Sequence, residues 1–226
     1  MLTAILTRAR DSRLVWDLFG PIYNRNIQAA LRGLYEHVAE RMHLGPFECG
    51  LDVGTGPGHV ALSAAQRYPS SIVVGVDFSP LQVRRAERIR RREKVENCRF
   101  LKADAMRLPF APESFDAVAS VGSIKHWPDA RRGLREIFRV LRPGKRAIVA
   151  ETDREAGRED VKNFVARFSI WYIPGPLLEW GTRRIVFGQS YSEKQIAAFM
   201  EEAGFAAVRA ERLTGCPYVI VQAVKP

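Results

Sequence analysis

The sequence predicts an α/β protein: a doubly wound, mostly parallel sheet of seven strands, with one antiparallel strand near the C-terminus. Three observations carry this expectation. β-Branched runs alternate with amphipathic stretches between residues 49 and 151, at the spacing of strand–helix–strand units. One strand enters a loop with glycines at 54, 56 and 58, and helical sequence follows at once. Near the C-terminus two β-rich runs, 205–213 and 217–224, are joined by Thr214-Gly215-Cys216 alone. That junction suits a hairpin, so one of the two strands must oppose the rest.

The elements follow in order. Residues 24–42 read as a helix because Ile27, Ala30, Leu31, Leu34 and Val38 recur at three- and four-residue spacing, with Asn24 or Asn26 as its cap. Residues 49–53 form the first strand, and a helix over 59–67 stops at Tyr68-Pro69. The second strand, 71–76, ends at Asp77, and 80–94 is helical. Strands follow at 98–102 and 114–121, the latter reached through a loop with Pro109 and Pro112 too short for a full helix. The helix over 129–141 puts Leu134, Ile137, Phe138 and Leu141 on one face, Pro143-Gly144 stops it, and 146–151 is the fifth strand. Ser192-Glu-Lys-Gln195 is a capping box opening a last helix, which Gly204 ends. The organisation expected is one domain over 1–226: a helical cap (1–45), a core (46–152), an insertion (153–190) with the apolar run Trp171 to Trp180 as a substrate lid, and a C-terminal helix and hairpin (191–226).

At 226 residues, 46% hydrophobic and 27% charged, the chain can bury a core without staples. Its three cysteines lie far apart with no CxxC, which excludes a disulfide scaffold or zinc module and fits a reducing compartment. No apolar run approaches the ~18 residues of a membrane span, and the N-terminal residues do not read as a secretory signal, so a cytoplasmic protein is expected. The net charge is +10, and residues 84–94 (RRAERIRRREK) hold seven basic and two acidic residues. With only Val83, Ala86 and Ile89 apolar nearby, this helix reads as a solvated face. An anionic membrane or partner is the alternative use, and the lack of aromatic platforms or a separate basic module argues against nucleic acid.

The glycine loop and Asp77 carry the chemistry. Glycines let backbone approach a ligand, and the free N–H groups of a helix start attract an anion. The third glycine of a GxGxxG fingerprint is displaced, with His59 in its place, and no Walker lysine is present. Asp77 ends the second strand 19 residues after Gly58, where a carboxylate can accept from both ribose hydroxyls.

On these motifs the chain resembles the class I S-adenosylmethionine-dependent methyltransferases, with their Rossmann-like sheet. Asp52-Val-Gly-Thr-Gly-Pro-Gly58 resembles the family's first motif, and Asp77-Phe-Ser-Pro-Leu-Gln82 its ribose motif, with Gln82 where methionine is frequent. Ala103-Asp-Ala-Met-Arg-Leu-Pro-Phe110, Phe115-Asp-Ala-Val-Ala-Ser-Val-Gly122 and the stretch 134–144 are similar to the motifs that follow. The resemblance implies S-adenosylmethionine as cofactor. It implies contacts from Gly54, Thr55, Gly56 and Gly58 to the methionine part, Asp77 to the ribose, Phe78 and Gln82 around the adenine, and Asp104 and Ala105 at the adenine edge. Ser120 and Val121 are implied at the fourth strand's end. Asp52 either orients the loop or touches the cofactor, and Asp104 has a turn role as its alternative.

For the acceptor, His126 in Ser123-Ile-Lys-His-Trp-Pro-Asp129 is the candidate general base, with simple packing of the loop as the alternative, and Lys125 is expected in solvent. No Asn/Asp-Pro-Pro-Tyr/Phe motif or acid cluster points to a base, glutamine or metal-bound acceptor. Leu18 to Asn26 resembles the entry segment of the ubiquinone/menaquinone-biosynthesis branch, although Asn24 replaces its usual Asp, and this implies Tyr23 as a cofactor lid. The expectation is methylation of a small, largely apolar acceptor such as a quinone-like ring, polyketide or lipid. The competing readings are a cofactor-binding partner without turnover and an RNA methyltransferase using the basic helix.

Overall fold

The computed structural model describes residues 28–167 and 190–226. Its elements are a helix over residues 28–41 (α1), then β1 (Cys49–Val53), α2 (His59–Arg67), β2 (Ile72–Asp77), α3 (Pro80–Arg92), β3 (Cys98–Lys102) and β4 (Phe115–Val121). A single 3-10 turn (Ile124–His126) leads to α4 (Ala130–Val140), β5 (Leu141–Thr152), α5 (Arg158–Ala166), α6 (Glu193–Glu202), β6 (Ala206–Arg212) and β7 (Tyr218–Val224). The seven strands lie in the order β3-β2-β1-β4-β5-β7-β6. β7 runs antiparallel to both β5 and β6, and the other pairings are parallel.

Each face of the sheet has its own core. Leu31, Leu34 and Val38 of α1, and Met42 just after it, pack with Val60, Ala61 and Ala64 of α2, Ala86 of α3, and Val161 and Phe164 of α5. On the other face Leu134 and Ile137 of α4 meet Ile196, Phe199 and Met200 of α6 over Leu51, Val118 and Val149. β1 and β4, covered on both faces, are almost wholly buried, as central parallel strands are. α1 is further tied to β6 through Glu211, which accepts from Arg41 Nε at 2.6 Å and meets His37 Nε2 at 3.0 Å.

The structure differs from the sequence expectation at one strand start. β5 begins at Leu141, directly after α4, rather than at Arg146. Leu141 pairs with Phe115, the register then shifts, and Arg146 resumes opposite Ala117. Pro143, which has no N–H for the ladder, and Gly144, at φ 74°, occupy this bulge. They interrupt the pairing rather than preceding it.

α3 turns a basic stripe outward: Arg84, Arg88, Arg91 and Arg92 are exposed, whereas Arg90 bends to Glu87 at 2.9 Å. Among the described residues no helix is long and apolar enough to cross a membrane. Asn24, Asn26, Tyr23 and the run Trp171 to Trp180 lie outside the described residues.

Candidate active site

The strand order reverses between β1 and β4, and a crevice opens at their carboxyl ends, where open α/β sheets hold ligands. It is a cleft of about 450 Å³. The glycine loop forms its floor. Gly54 N and Thr55 N both donate to Val76 O, at 2.8 and 2.9 Å, which locks the loop onto β2. Gly54 has φ 74°, and a Cβ there would sit 1.8 Å from Ser123 Oγ, so the loop and the turn after β4 touch only because position 54 is glycine. Gly56 differs: at φ 54° its missing Cβ would meet nothing within 4 Å, and its backbone borders the cleft. Gly58, the N-cap residue of α2, does not border the cleft; a Cβ there would strike Phe100 and Ala86, so its smallness serves helix packing.

Two carboxylates, Asp52 buried and Asp77 half-buried, organise the loop. Asp52 Oδ2 accepts from Thr55 Oγ1 at 2.5 Å and from Ala61 N at 3.2 Å. Ala61 is the third residue of α2, so Asp52 caps that helix from the preceding strand, a task Gly58 cannot perform without a side chain. Burial pushes the Asp52 carboxyl up to about 7, against the lowering effect of these two hydrogen bonds. Asp52 thus orients the loop, and it also borders the cleft. Asp77 accepts Gly56 N on one oxygen and Ser79 N on the other, each at 2.8 Å. Burial raises its carboxyl too, partly offset by those same bonds.

Phe78, Gln82, Asp104, Ala105 and Val121 line the cleft with them. Phe78 is 62% exposed, an apolar wall awaiting a cover. Asp104 has the turn role, its Oδ1 accepting Met106 N at 2.9 Å, and it also lines the cleft. Ser120 does not face the cleft; it is buried and donates to Val53 O at 2.8 Å, bracing β4 against β1. Tyr23 lies outside the described residues.

His126, the candidate base, lines the same cleft, together with residues the sequence did not single out for the site: Leu31 and Tyr35 of α1, His59, Ser123, Trp127 and Tyr218. Tyr35 stacks on His59, ring centroids 5.5 Å apart and 11° from parallel, and burial lowers the His59 imidazole pKa. Trp127 Nε1 donates to Ser123 Oγ at 2.9 Å, and its ring lies where Gly133 of α4 leaves room. Lys125, expected in solvent, is instead buried: its Nζ meets Glu151 Oε1 at 2.5 Å and Thr152 Oγ1 at 3.2 Å. A lysine has three donors to satisfy, and the end of β5 supplies two acceptors for them.

These residues fit S-adenosylmethionine. Gln82 Oε1, buried at the cleft, has no hydrogen-bond partner among the described residues, and the Asp77 oxygens keep lone pairs beyond their two backbone donors. Both suit a ligand rich in hydroxyl and amino donors. Two carboxylates beside an open glycine suit a ligand with positive charge.

Comparison with known proteins agrees. Residues 51–149 match a methyltransferase domain family. The demethylmenaquinone methyltransferase of Thermus thermophilus is 42% identical over 101 residues, covering 45% of this chain and 46% of that protein. The cycloartenol-C-24-methyltransferase of Arabidopsis thaliana is 38% identical over 113 residues, 49% of this chain and 33% of that protein. The chain therefore matches less than half the length of these curated relatives. A solved SAM-dependent methyltransferase from Thermotoga maritima shares the fold, with TM-score 0.66 at 22% identity over 93% of this chain and 98% of that one. The loop, the two carboxylates, the sheet order and these matches converge: residues 51–149 carry a methyltransferase domain, on a sheet of the fold found in S-adenosylmethionine-dependent methyltransferases.

Proposed function

We propose that this chain transfers a methyl group from S-adenosylmethionine to a small, largely apolar acceptor, a quinone-like ring foremost. The observation that carries this is that one cleft is lined by two chemistries. Asp52, Asp77, Gln82, Asp104 and the glycine loop line it together with Leu31, Tyr35, Trp127 and Tyr218, and His126 lies among them. Relatives named for demethylmenaquinone and for cycloartenol, both largely apolar acceptors, support the same reading.

When bound, the cofactor supplies an already activated methyl group on sulfur. What remains for the chain is to hold two reactants in line and keep water out, and alignment alone is worth up to about 7–11 kcal/mol of barrier. In this reading Asp77 holds the ribose, and Gly56 leaves the space beside it open. Trp127, Tyr35 and Tyr218 present a dry wall to the acceptor, and α5 of the 153–190 insertion backs that wall, its Phe164 ring 6.2 Å from Tyr218. His126 takes the proton of a phenolic or enolic acceptor, a task for which an imidazole is suited near neutral pH.

The test is release of S-adenosylhomocysteine from purified chain given S-adenosylmethionine and, separately, a short-chain prenylated hydroquinone, a sterol, a phenolic polyketide and total RNA. Turnover on the hydroquinone, cut about a hundredfold or more by His126→Asn with cofactor affinity kept, is the expected result. Turnover on RNA alone would refute the acceptor reading.

A further inference from the structure

We infer that the buried Lys125–Glu151 ion pair is a positioning device: it sets the turn that presents His126 to the cleft. The inference rests on the proposed acceptor side of the cleft, though its test does not need the acceptor. The Lys125 side chain is 2% exposed and that of Glu151 0%, and neither residue borders the cleft. Their neighbours in sequence do: Ser123, His126 and Trp127 line it.

The local geometry explains how one residue can govern another. A 3-10 turn has three residues per turn, so Ile124, Lys125 and His126 point about 120° apart. Ile124 is sunk in the core beneath α4, and Lys125 is held at the end of β5. With two of three directions anchored, the third is fixed, and it is the one carrying His126. Glu151 grips the turn once more, its Oε2 accepting Lys125 N at 3.4 Å, and its own carboxylate is held in place within β5 by Thr152 N, which donates to Oε1 at 2.8 Å. The Thr152 hydroxyl, bonded to Lys125 Nζ and Glu151, also bonds Ser190, a buried residue at the other end of the 153–190 insertion. One network therefore joins the turn after β4, the end of β5 and the close of the insertion.

Stability alone is a poor account of such a pair. Desolvating two charges is so costly that well-packed apolar replacements are frequently neutral or stabilising, whereas an ion pair admits few alternative arrangements. A salt bridge hidden behind a catalytic turn suits fixed direction better than added strength.

The double variant K125M/E151Q removes both charges and leaves one acceptor oxygen, where Glu151 used one for the residue 125 amide and one for Thr152 N. Histidine ring carbon–proton NMR resonances are followed in uniformly histidine-labelled protein, free and with S-adenosylhomocysteine, His126 being assigned through His126→Asn. The expected result is a shifted or broadened His126 signal with His59 unmoved, S-adenosylhomocysteine affinity kept within a few-fold, and transfer slowed about tenfold to a hundredfold wherever an acceptor is in hand. A sharp, unshifted His126 signal in the folded variant would overturn the inference. Should the double variant not fold, Lys125→Arg keeps the charge while forcing the turn outward, and an unmoved His126 signal there is equally fatal. A responsive His126 signal combined with full turnover in His126→Asn would sink the general-base reading and leave the positioning inference standing.

Discussion

Binding of S-adenosylmethionine should expel a proton, and Asp52 should be its main source. In the free protein burial sets this carboxyl at about 7, against an ordinary 3.8. It is therefore about 4 kcal/mol harder to ionise in the fold than in the unfolded chain. At pH 7 about half of the molecules carry the proton. A cation entering the cleft that Asp52 and Asp77 border favours the ionised form of both, so each midpoint falls and the proton leaves. The release expected from Asp52 is about half a proton at pH 7, more on the acid side, and little at pH 9 where the free protein is already ionised. S-adenosylhomocysteine, without the sulfonium charge, should release less. Titration calorimetry at pH 7 in phosphate and in Tris reads this directly, because the apparent enthalpy changes with the buffer's ionisation enthalpy in proportion to the protons released. Asp52→Asn retains an acceptor for Thr55 and Ala61 but cannot ionise, and the buffer dependence should drop to the share of Asp77. Identical enthalpies in both buffers for the native chain, or an undiminished buffer dependence in Asp52→Asn, would refute the reasoning.

Two further outcomes test the loop. Gly54→Ala, which drives a methyl into Ser123 at positive φ, should lower stability by about 2–4 kcal/mol, whereas Gly56→Ala meets no atom and should cost about 1 kcal/mol of backbone strain while obstructing the cleft. Thermal melts rank the first below the second, and calorimetry with S-adenosylhomocysteine shows Gly56→Ala stable yet poor at binding. Asp77→Ala leaves the Gly56 and Ser79 amides without their acceptor and removes a charged hydrogen-bond partner for ligand hydroxyls, so affinity should fall about tenfold to a hundredfold.

What the sequence revealed of the fold was whatever is written in short range. Strand and helix periods, the Tyr68-Pro69 stop, the Ser192–Gln195 capping box and the hairpin at Gly215 are each contained in a few neighbouring residues. The capping box appears with both of its bonds, and the hairpin turn has Gly215 at φ 69°. The start of β5 was misplaced for the complementary reason. A proline and glycine after a helix read as a stop, yet Leu141 finds Phe115, an alignment set by β4 rather than by anything near residue 141.

The same distinction divides the cleft. The glycine loop was legible because Asp52, the glycines and Asp77 belong to two short motifs at successive strand ends. The aromatic lining was not, because Tyr35, Ser123, Trp127 and Tyr218 come to the cleft from α1, the turn after β4 and the start of β7, with no local pattern shared among them. Lys125 shows why. Within its own seven residues it has no acidic neighbour closer than Asp129, so solvent was the reasonable expectation. Its partner is Glu151, on the neighbouring parallel strand. A buried lysine is tolerated only where such a partner is already in place. The turn that carries His126 is therefore specified jointly by two segments that no motif contains. A change on β5 alone should therefore re-aim His126 without touching the glycine loop or Asp77.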